Sequence, residues 1–292
     1  MTHYRLGIDT GGTFTDFILT APGEGIRLYK TPSTPHDPPA AVQTGLSLMS
    51  AELGCDIADF LADCELIILG TTVGVNAVIE KTGARTGLLC TRGHEDSLEI
   101  RLGHKEDGHR YDADFPQAEM LVPRARRMPV AERVVSTGEV RLPLNEADVR
   151  HGVRQLKAAG VEAIAVSFVW SFLHPEHERR AAEIVREEFP DAYLSLSVDV
   201  LPQIREYTRT STTVLNAYIG PIMRRYVEQM EGVLRSLGYE REIRYMQSNG
   251  GLTSGRFLRD IAAGRRPQRR PVFRPGSGSP RHHYGRYGRH QF

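Results

Sequence analysis

The sequence has few cysteines and no long apolar run, and these absences exclude several classes of protein. The three cysteines, Cys55, Cys64 and Cys90, form no CxxC pair, so neither a disulfide framework nor a zinc site is indicated. No apolar stretch reaches the roughly 18 residues that a membrane-spanning helix needs. The first residues lead almost directly into an apolar strand, without a basic region or a small-residue cleavage site. We therefore expect a cytoplasmic protein that does not act on a membrane.

Acidic residues are absent from the last segment of the chain, which changes the meaning of the net charge of +1. Residues 265–292 contain eight arginines and no aspartate or glutamate, so the rest of the chain carries a net charge of −7. A mildly acidic body does not indicate a nucleic-acid-binding surface. The segment is rich in Arg, Pro, Gly and His and almost lacks aliphatic side chains, so we expect it to be disordered. An Arg-rich arm that binds nucleic acid is the alternative interpretation of this segment.

The N-terminal glycine motif is neither a Walker A loop nor GxGxxG. It reads LGIDTGGTFTD, in which Asp9 ends an apolar strand and Gly11 and Gly12 form a turn. Successive glycines let a backbone approach an anion and point N–H groups at it, and a carboxylate can hold a hydrated Mg²⁺. Three hydroxyl side chains surround the turn: Thr10, Thr13 and Thr15. A plain glycine-rich hairpin is the alternative, but the whole constellation favours a phosphate loop.

Strand and helix patterns alternate along the chain, which predicts a layered α/β protein with a mixed sheet. Strands are expected at 5–10, 14–20, 26–31, 65–70, 86–90, 161–170 and 192–198, and in EIRYMQSNGG. Helices are expected after a Pro-rich linker at 32–39, from near Thr72, over 145–159, from the HPEHE stretch and from about 202. Gly220–Pro221 should interrupt or bend the last helix. Residues 93–129 should be irregular, mainly loops with short elements, and a domain boundary is expected near 190–205.

The glycine motif GIDTGGTFTDF resembles the first phosphate loop of the actin, sugar kinase and Hsp70 superfamily. More narrowly, it resembles the family of hydantoinase A, 5-oxoprolinase and the acetone carboxylase β-subunit. Four further stretches agree with that family: LGTTVGVNAVIEKTGARTGLLCTRGHEDSLEIR at 69–101, ERVVSTGEVRLPL at 132–144, AVSFVWSFLHPEHE at 165–178 and YMQSNGG at 245–251. The resemblance covers residues 4–260 and implies an actin-like, ribonuclease H-like ATPase fold. It implies an N-terminal domain at 1–200, the start of an incomplete second domain at 201–264, and the disordered tail at 265–292.

The resemblance also implies roles for particular residues. Contacts to ATP are implied for the phosphate loop and for the start of the second half of the site: Asp9, Thr10, Gly11, Gly12, Thr13, Thr15, Ser248, Asn249, Gly250 and Gly251. Asp9 would hold Mg²⁺ through a water molecule and, with Asn76, would be a catalytic residue. Gly70 would lie near the cleft. Substrate contacts are implied for four residues: Thr71, Thr72, Arg101 and His104.

Members of this family use ATP to phosphorylate an amide or carbonyl oxygen, after which hydrolysis or carboxylation follows. The resemblance therefore implies one subunit of an ATP-dependent hydrolase that acts on small cyclic amides of the hydantoin or 5-oxoproline type. A hydantoinase B-type subunit is the expected partner, and ATP and Mg²⁺ are the expected cofactors. Two alternatives stay open: a ketone carboxylase β-subunit with the same fold, and a non-catalytic protein whose basic tail binds nucleic acid.

The histidine-rich stretches carry weaker signals. The spacing of His94, His104 and His109 fits no standard set of metal ligands, so a solvated loop is expected there. His174 and His177 flank Pro175, a residue favoured in the first turn of a helix, which indicates capping or surface roles.

The codons of the basic tail are compatible with a family motif in a different reading frame. The codons of Phe273 to Ser279, read one base later, allow Ser-Gly-Pro-Ala-Ala-Gly. This resembles SGPAGGV, with which the family continues after YMQSNGG. We therefore expect a frameshift in a GC-rich gene, with a true basic tail as the alternative. Such a chain lacks the second phosphate turn and the adenosine-binding segment, so we expect it to show little or no ATPase activity.

Overall fold

The computed structural model describes residues 3–100, 109, 111–115, 119–247 and 250–262. Its strands are β1 (Tyr4–Thr10), β2 (Phe14–Thr20), β3 (Arg27–Pro32), β4 (Cys64–Thr71), β5 (Thr86–Thr91), β6 (Arg127–Val130), β7 (Arg133–Val134), β8 (Val140–Leu142), β9 (Ala163–Ser167), β10 (Tyr193–Leu196), β11 (Arg244–Met246) and β12 (Leu252–Ser254). Its helices are α1 (Pro38–Leu53), α2 (Ile57–Asp63), α3 (Val73–Ile79), α4 (Ser97–Ile100), α5 (Glu146–Ala158), α6 (Glu176–Glu188), α7 (Ser197–Val200), α8 (Glu206–Ser236) and α9 (Gly255–Ala262).

The first sheet has six strands in the order β12-β11-β4-β1-β2-β3. β1, β2 and β3 form an antiparallel meander, whereas β4 runs parallel to β1 and β11 runs parallel to β4. An antiparallel meander extended by parallel strands on the side of β1 is the arrangement of a ribonuclease H-like domain. The predicted actin-like α/β fold with a mixed sheet is therefore confirmed.

One face of this sheet forms the larger hydrophobic core. Apolar residues alternate along β1 and β2, so Leu6, Ile8 and Phe17 all point to the face covered by α1 and the C-terminal half of α8. The Phe17 ring packs directly against α1 at Gly45, where an added Cβ would lie 2.1 Å from the ring. Glycine is required at this position of the helix because any side chain would displace the ring.

The second sheet is built from the chain between β4 and α8. Its four strands are all parallel, in the order β10-β9-β5-β6. Helices α5 and α6 pack on one face, and the N-terminal half of α8 packs on the other through Val214 and Ala217. Helix α8 therefore contacts both sheets and fixes one against the other.

Several expected elements differ from those observed. The strand expected at 161–170 ends at Ser167, because the buried Glu178 carboxylate accepts the Phe168 N–H at 2.7 Å and Trp170 turns the chain with a φ of +63°. Helix α8 continues without interruption through Pro221, and Gly220 in it leaves room for the Tyr193 ring. The stretch expected to be loops with short elements contains α4 and most of β6, which are four residues each, in agreement with that expectation.

Two further expectations concern the whole chain. The division at residue 200 stays a prediction, although β11 and β12 join the same sheet as β1. Within the described parts of the chain, no helix is both long and apolar enough to cross a membrane. The tail at 265–292 lies outside the described residues.

Candidate functional site

A polar pocket of about 230 Å³ lies between the β1–β2 turn, the segment after β3 and helix α3. Its lining is Thr10, Gly11, Gly12, Ser33, Thr34, Pro35, Pro38, Thr72, Val73, Asn76, Ala77, Glu80, Thr82 and Ile222. The lining contains hydroxyl groups, an amide and backbone of two glycines, but among its described residues the only ionisable side chain is that of Glu80. The hydroxyl and amide groups of the lining are of the kind that donate hydrogen bonds to phosphate oxygens.

The β1–β2 turn is held in shape by the segment after β3. The Gly11 N–H donates to the carbonyl of Phe14 at 3.1 Å and closes the turn. Ser33 then makes two hydrogen bonds to the turn. Its hydroxyl donates to the Gly11 carbonyl at 2.8 Å, and its N–H donates to the Thr13 carbonyl at 2.9 Å. These bonds use carbonyl groups of the turn, so its backbone geometry is fixed before any ligand binds.

Helix α3 forms the opposite wall of the pocket. The Asn76 amide donates to the Thr72 hydroxyl at 3.3 Å, which orients the side chain across the helix start. A Cβ added to Gly12 would lie 3.5 Å from Asn76 Nδ2, so the amide and the glycine backbone face each other. A group bound against Gly12 would therefore be within reach of the Asn76 side chain.

Asp9 lies beside this pocket on the other face of β1. The strand alternation buries Thr10 and exposes Asp9, whose carboxylate makes no ion pair among the described residues. Gly70 is opposite Asp9 in the parallel pair β1–β4, and a Cβ there would lie 3.0 Å from Asp9 Oδ1. The glycine thus leaves space for the carboxylate at the edge of the turn.

A tyrosine that sequence reasoning missed supports the end of β1 behind the pocket. Tyr226 of α8 donates its hydroxyl proton to Thr10 Oγ1 at 3.2 Å. Burial raises the pKa of this tyrosine, so the phenol remains a neutral donor. Ser33 and Thr34 were also missed, because they lie in the stretch between prolines that reads as a linker. Their only sequence signal is a pair of hydroxyl side chains directly after a strand.

The structure places several predicted site residues at the turn and leaves others undescribed. Thr10, Gly11, Gly12, Thr72 and Asn76 line the polar pocket, and Thr13 is exposed at the tip of the turn. Thr15 is fully buried and its hydroxyl pairs with Ser33 Oγ at 3.0 Å, so it supports the turn from behind. Four predicted residues lie outside the described residues: Arg101, His104, Ser248 and Asn249.

The remaining predicted residues are placed apart from the polar pocket. Gly250, with a φ of +81°, donates its N–H to Gln247 at 2.9 Å and forms the β11–β12 turn together with Gly251. Thr71 lies in a second pocket of about 540 Å³ on the other side of α3, whose lining is mainly apolar and includes Val75, Ile79 and Met223.

The histidines do not form a metal site in the described part of the chain, where no group of three or more His, Cys, Asp or Glu side chains could hold an ion. His94 accepts a hydrogen bond from Arg133 at 3.0 Å, and burial together with this guanidinium lowers its pKa. His177 does not cap helix α6. Its Nδ1 lies 2.8 Å from the fully buried Glu132 carboxylate.

The donors near the turn fit a hydrated Mg²⁺. An exposed carboxylate without an ion pair, at Asp9, lies at the end of the strand that leads into the turn. Mg²⁺ prefers oxygen ligands and commonly keeps several waters when one carboxylate holds it.

Comparisons with known proteins agree with this fold. Residues 5–189 match the Hydantoinase/oxoprolinase N-terminal region, and residues 209–263 match the Hydantoinase/oxoprolinase family. The chain is 54% identical to caprolactamase subunit alpha of Pseudomonas jessenii over 259 residues, which is 89% of this chain and 37% of the relative. It is 37% identical to the acetophenone carboxylase gamma subunit of Aromatoleum aromaticum, covering 84% of this chain and 35% of that subunit.

Solved structures of the same family have a similar fold. The crystal structure of the ATP-dependent caprolactamase from Pseudomonas jessenii has a TM-score of 0.80 at 54% identity, covering 86% of this chain and 36% of that one. Nucleotide-free acetone carboxylase has a TM-score of 0.80 at 28% identity, covering 90% and 39%. The chain thus spans little more than a third of the length of these relatives. It belongs to the hydantoinase/oxoprolinase family.

Proposed function

We propose that this chain is the phosphate-binding part of an ATP-dependent amidohydrolase subunit that acts on small cyclic amides. The observation that carries the proposal is the β1–β2 turn, in which Gly12 faces Asn76 across a polar pocket and Asp9 lies in the strand that leads into the turn. The 54% identity to caprolactamase subunit alpha favours lactams within the class of cyclic amides.

In the proposed mechanism the chain positions the ATP phosphates and does no covalent chemistry itself. Backbone N–H groups of the turn, the Asn76 amide and the hydroxyls of Thr10 and Thr72 donate to phosphate oxygens. The amide oxygen of the substrate attacks the γ-phosphorus, the bond from that phosphorus to ADP breaks, and the amide carbon becomes open to attack by water. Asp9 would hold Mg²⁺ through water, and the ion would neutralise the charge on the phosphates. The rigid turn lowers the cost of ordering these donors.

The proposed activity requires parts beyond this chain. We assign the binding of adenosine, and the second phosphate turn, to sequence that full-length relatives carry downstream. Water attack on the activated amide is assigned to a hydantoinase B-type partner. The relatives are themselves named as alpha and gamma subunits, which supports a multisubunit enzyme.

We further propose that the segment around Phe273–Ser279 is read from a shifted frame. Its codons read one base later allow the Ser-Gly-Pro-Ala-Ala-Gly turn that the family resemblance leads us to expect. Sequencing of the gene across and beyond this segment tests the proposal. A continuous adjacent frame that encodes further glycine turns would support it, whereas a confirmed frame without such a continuation would contradict it.

The experiment that tests the function uses a chimera in which residues 1–262 replace the matching part of caprolactamase subunit alpha, assayed with the partner subunit of that enzyme. We expect phosphate release that depends on caprolactam and is lost in Asp9→Asn. Release that requires a ketone and bicarbonate instead would favour the carboxylase alternative, for which the likeness to acetone carboxylase is the supporting observation.

A further inference from the structure

The polar pocket contains a carboxylate to which the proposed phosphate site gives no role. Glu80 lines this pocket together with Thr72 and Asn76, and its side chain is exposed. A carboxylate repels the negatively charged oxygens of a phosphate at short range, so Glu80 is unfavourable in a pocket that holds phosphate alone. A hydrogen-bond donor bound next to the phosphate removes this conflict, because it gives the carboxylate a partner.

No cation among the described residues pairs with this carboxylate. The nearest lysine in the sequence, Lys81, pairs with Glu119 instead. Lys81 also leaves the helical conformation, with a φ of +57°. Within the described lining of the polar pocket Glu80 is the only ionisable side chain, so no positive charge in that wall offsets its own.

The position of Glu80 at the end of α3 does not stabilise the helix. Glu80 is the C-cap residue, and its N–H donates to the Asn76 carbonyl at 2.8 Å. The C-terminus of a helix carries partial negative charge, so a carboxylate is unfavourable there and a lysine or arginine is favourable. The helix therefore gains nothing from the charge of Glu80, and the role of the carboxylate has to be found in the pocket.

Asn76 and Glu80 are one helical turn apart and share a face of α3. Residues at i and i+4 of a helix have about 5–6 Å between their Cβ atoms. Both of these side chains line the polar pocket. The Asn76 amide carries N–H donors, whereas a carboxylate only accepts hydrogen bonds. This wall of the pocket thus presents a donor and an acceptor side by side.

A small cyclic amide carries the complementary pair of groups. Its ring holds the C=O and N–H bonds on the same edge of the amide, whereas an open-chain secondary amide is trans and directs them to opposite sides. When the carbonyl oxygen faces a phosphate beside Asn76, the N–H of the same cyclic amide is directed to Glu80. A ketone has no N–H to donate.

We propose that Glu80 accepts the N–H of the cyclic amide and takes its proton during phosphoryl transfer, an inference that rests on the proposed function. The carbonyl oxygen forms a bond to the γ-phosphorus, and the bond from that phosphorus to ADP breaks, with its electron pair leaving on ADP. As the amide proton moves to Glu80, the C–N bond becomes a C=N bond. The ring nitrogen then carries no positive charge, and the carboxyl group of Glu80 holds the proton.

An NMR titration of the 292-residue chain with caprolactam tests the recognition of the amide. We expect saturable shifts of the Glu80 backbone amide and the Asn76 side-chain amide. Three compounds should bind at least fivefold more weakly: N-methylcaprolactam and cycloheptanone, which lack the N–H, and N-methylacetamide, which is trans. Equal affinity for all four compounds, or the absence of shifts at both amides, would overturn the proposal.

Two variants show whether this preference comes from Glu80. Glu80→Ala should remove the preference for caprolactam over N-methylcaprolactam. Glu228→Ala is the matched control, because Glu228 is an exposed glutamate of α8 without an ion pair among the described residues. It should leave the preference unchanged. A preference that survives in Glu80→Ala would overturn the assignment.

The proton transfer is tested with Glu80→Gln in the caprolactamase chimera, since a glutamine oxygen still accepts the N–H but does not take the proton. We expect kcat for caprolactam-dependent phosphate release to fall about a hundredfold, as is usual when a general base is lost, with KM for caprolactam and the affinity for Mg·ATP nearly unchanged. An unchanged kcat would overturn the proton transfer. A fall in the affinity for Mg·ATP of the same size would assign Glu80 to the nucleotide and overturn the proposal.

Failure of this proposal is distinguishable from failure of the proposed function. Caprolactam that shifts Glu80 and Asn76, together with Mg·ATP that leaves Gly11 and Gly12 unshifted, would remove the phosphate site and keep the amide site. The reverse result would overturn the role of Glu80 alone. With an inactive chimera, the titration of the chain itself still decides whether Glu80 recognises the amide N–H.

Discussion

Two aspartates on neighbouring strands differ in their contacts, although Asp9 and Asp16 are opposite each other in the β1–β2 pair. Asp16 pairs with Lys30 at 3.1 Å, whereas Asp9 makes no ion pair among the described residues. We expect Asp9→Asn to weaken Mg²⁺-dependent binding of ATP at least tenfold without changing the melting temperature. Asp16→Asn is the control and should leave binding unchanged. Calorimetric titration measures both, and equal affinity of the two variants would contradict the assignment of Asp9.

Gly12 offers a second test at the scale of one residue. A small side chain there would meet the Asn76 amide at an ordinary distance of 3.5 Å, so Gly12→Ala should fold normally. The added methyl group would occupy the space in which we place a phosphate oxygen, so ATP affinity should fall at least fivefold. Gly25→Ala is a matched control, since it also lies in a turn between strands and nothing is within 4 Å of its Cβ. Unchanged ATP affinity in Gly12→Ala would argue against phosphate binding at this turn.

Glu178 gives a prediction for pH, because its carboxyl group is completely buried. Desolvation raises its pKa above 4.5, although Ser197 and the N–H groups of Phe168 and Val198 donate to it. A carboxyl group whose pKa is higher in the folded chain than in the unfolded chain stabilises the fold at pH values below its unfolded-state pKa. This stabilisation is lost as the pH rises through the folded-state pKa. The free energy of unfolding should therefore decline as the pH rises above 4.5. Glu178→Gln should remove this decline, and urea titrations at several pH values measure both slopes.

At the scale of elements, the contact between α1 and the first sheet depends on Gly45. An added methyl group there would lie 2.1 Å from the Phe17 ring, so Gly45→Ala should cost about 1–3 kcal/mol through overpacking. Gly232→Ala is the control, because it is also inside a helix but has nothing within 4 Å of its Cβ. It should stabilise the chain by about 0.5–1 kcal/mol. Urea unfolding separates the two outcomes, and equal effects would refute the packing argument.

The elements that sequence could predict are those with a strong local pattern. The period of two along β1 and β2 locates the meander, and Asn145 marks the start of α5 by accepting hydrogen bonds from Ala147 and Asp148. Four-residue elements such as α4 and β6 give no periodic signal. The early end of β9 depends on Glu178, which comes ten residues later in the chain.

The candidate site likewise contains some residues that a short sequence motif reveals and others that only the fold brings together. The residues of the β1–β2 turn and Asn76 are visible in the sequence because each lies in one short motif. Tyr226 was not predicted, since it is 216 residues from Thr10 and only folding brings the two together. The motif also did not reveal that the Asp9 side chain lies on the exposed face of β1, away from the polar pocket.

At the scale of the whole molecule, α8 connects the two sheets, and its Tyr226 also hydrogen-bonds Thr10 at the end of β1. The polar pocket and the mainly apolar pocket lie on either side of α3. We propose that the chain supplies one half of a nucleotide site, the phosphate turn, and that the adenosine contacts come from elsewhere.

An NMR titration of the 292-residue chain with Mg·ATP shows whether the β1–β2 turn binds the phosphates of ATP. We expect saturable shifts of the Gly11 and Gly12 amides, with the Asn76 side-chain amide moving together with them. The same titration of Asp9→Asn should need a much higher nucleotide concentration. Amides of the turn that stay in place at millimolar Mg·ATP, or that shift equally in the variant, would contradict the claim.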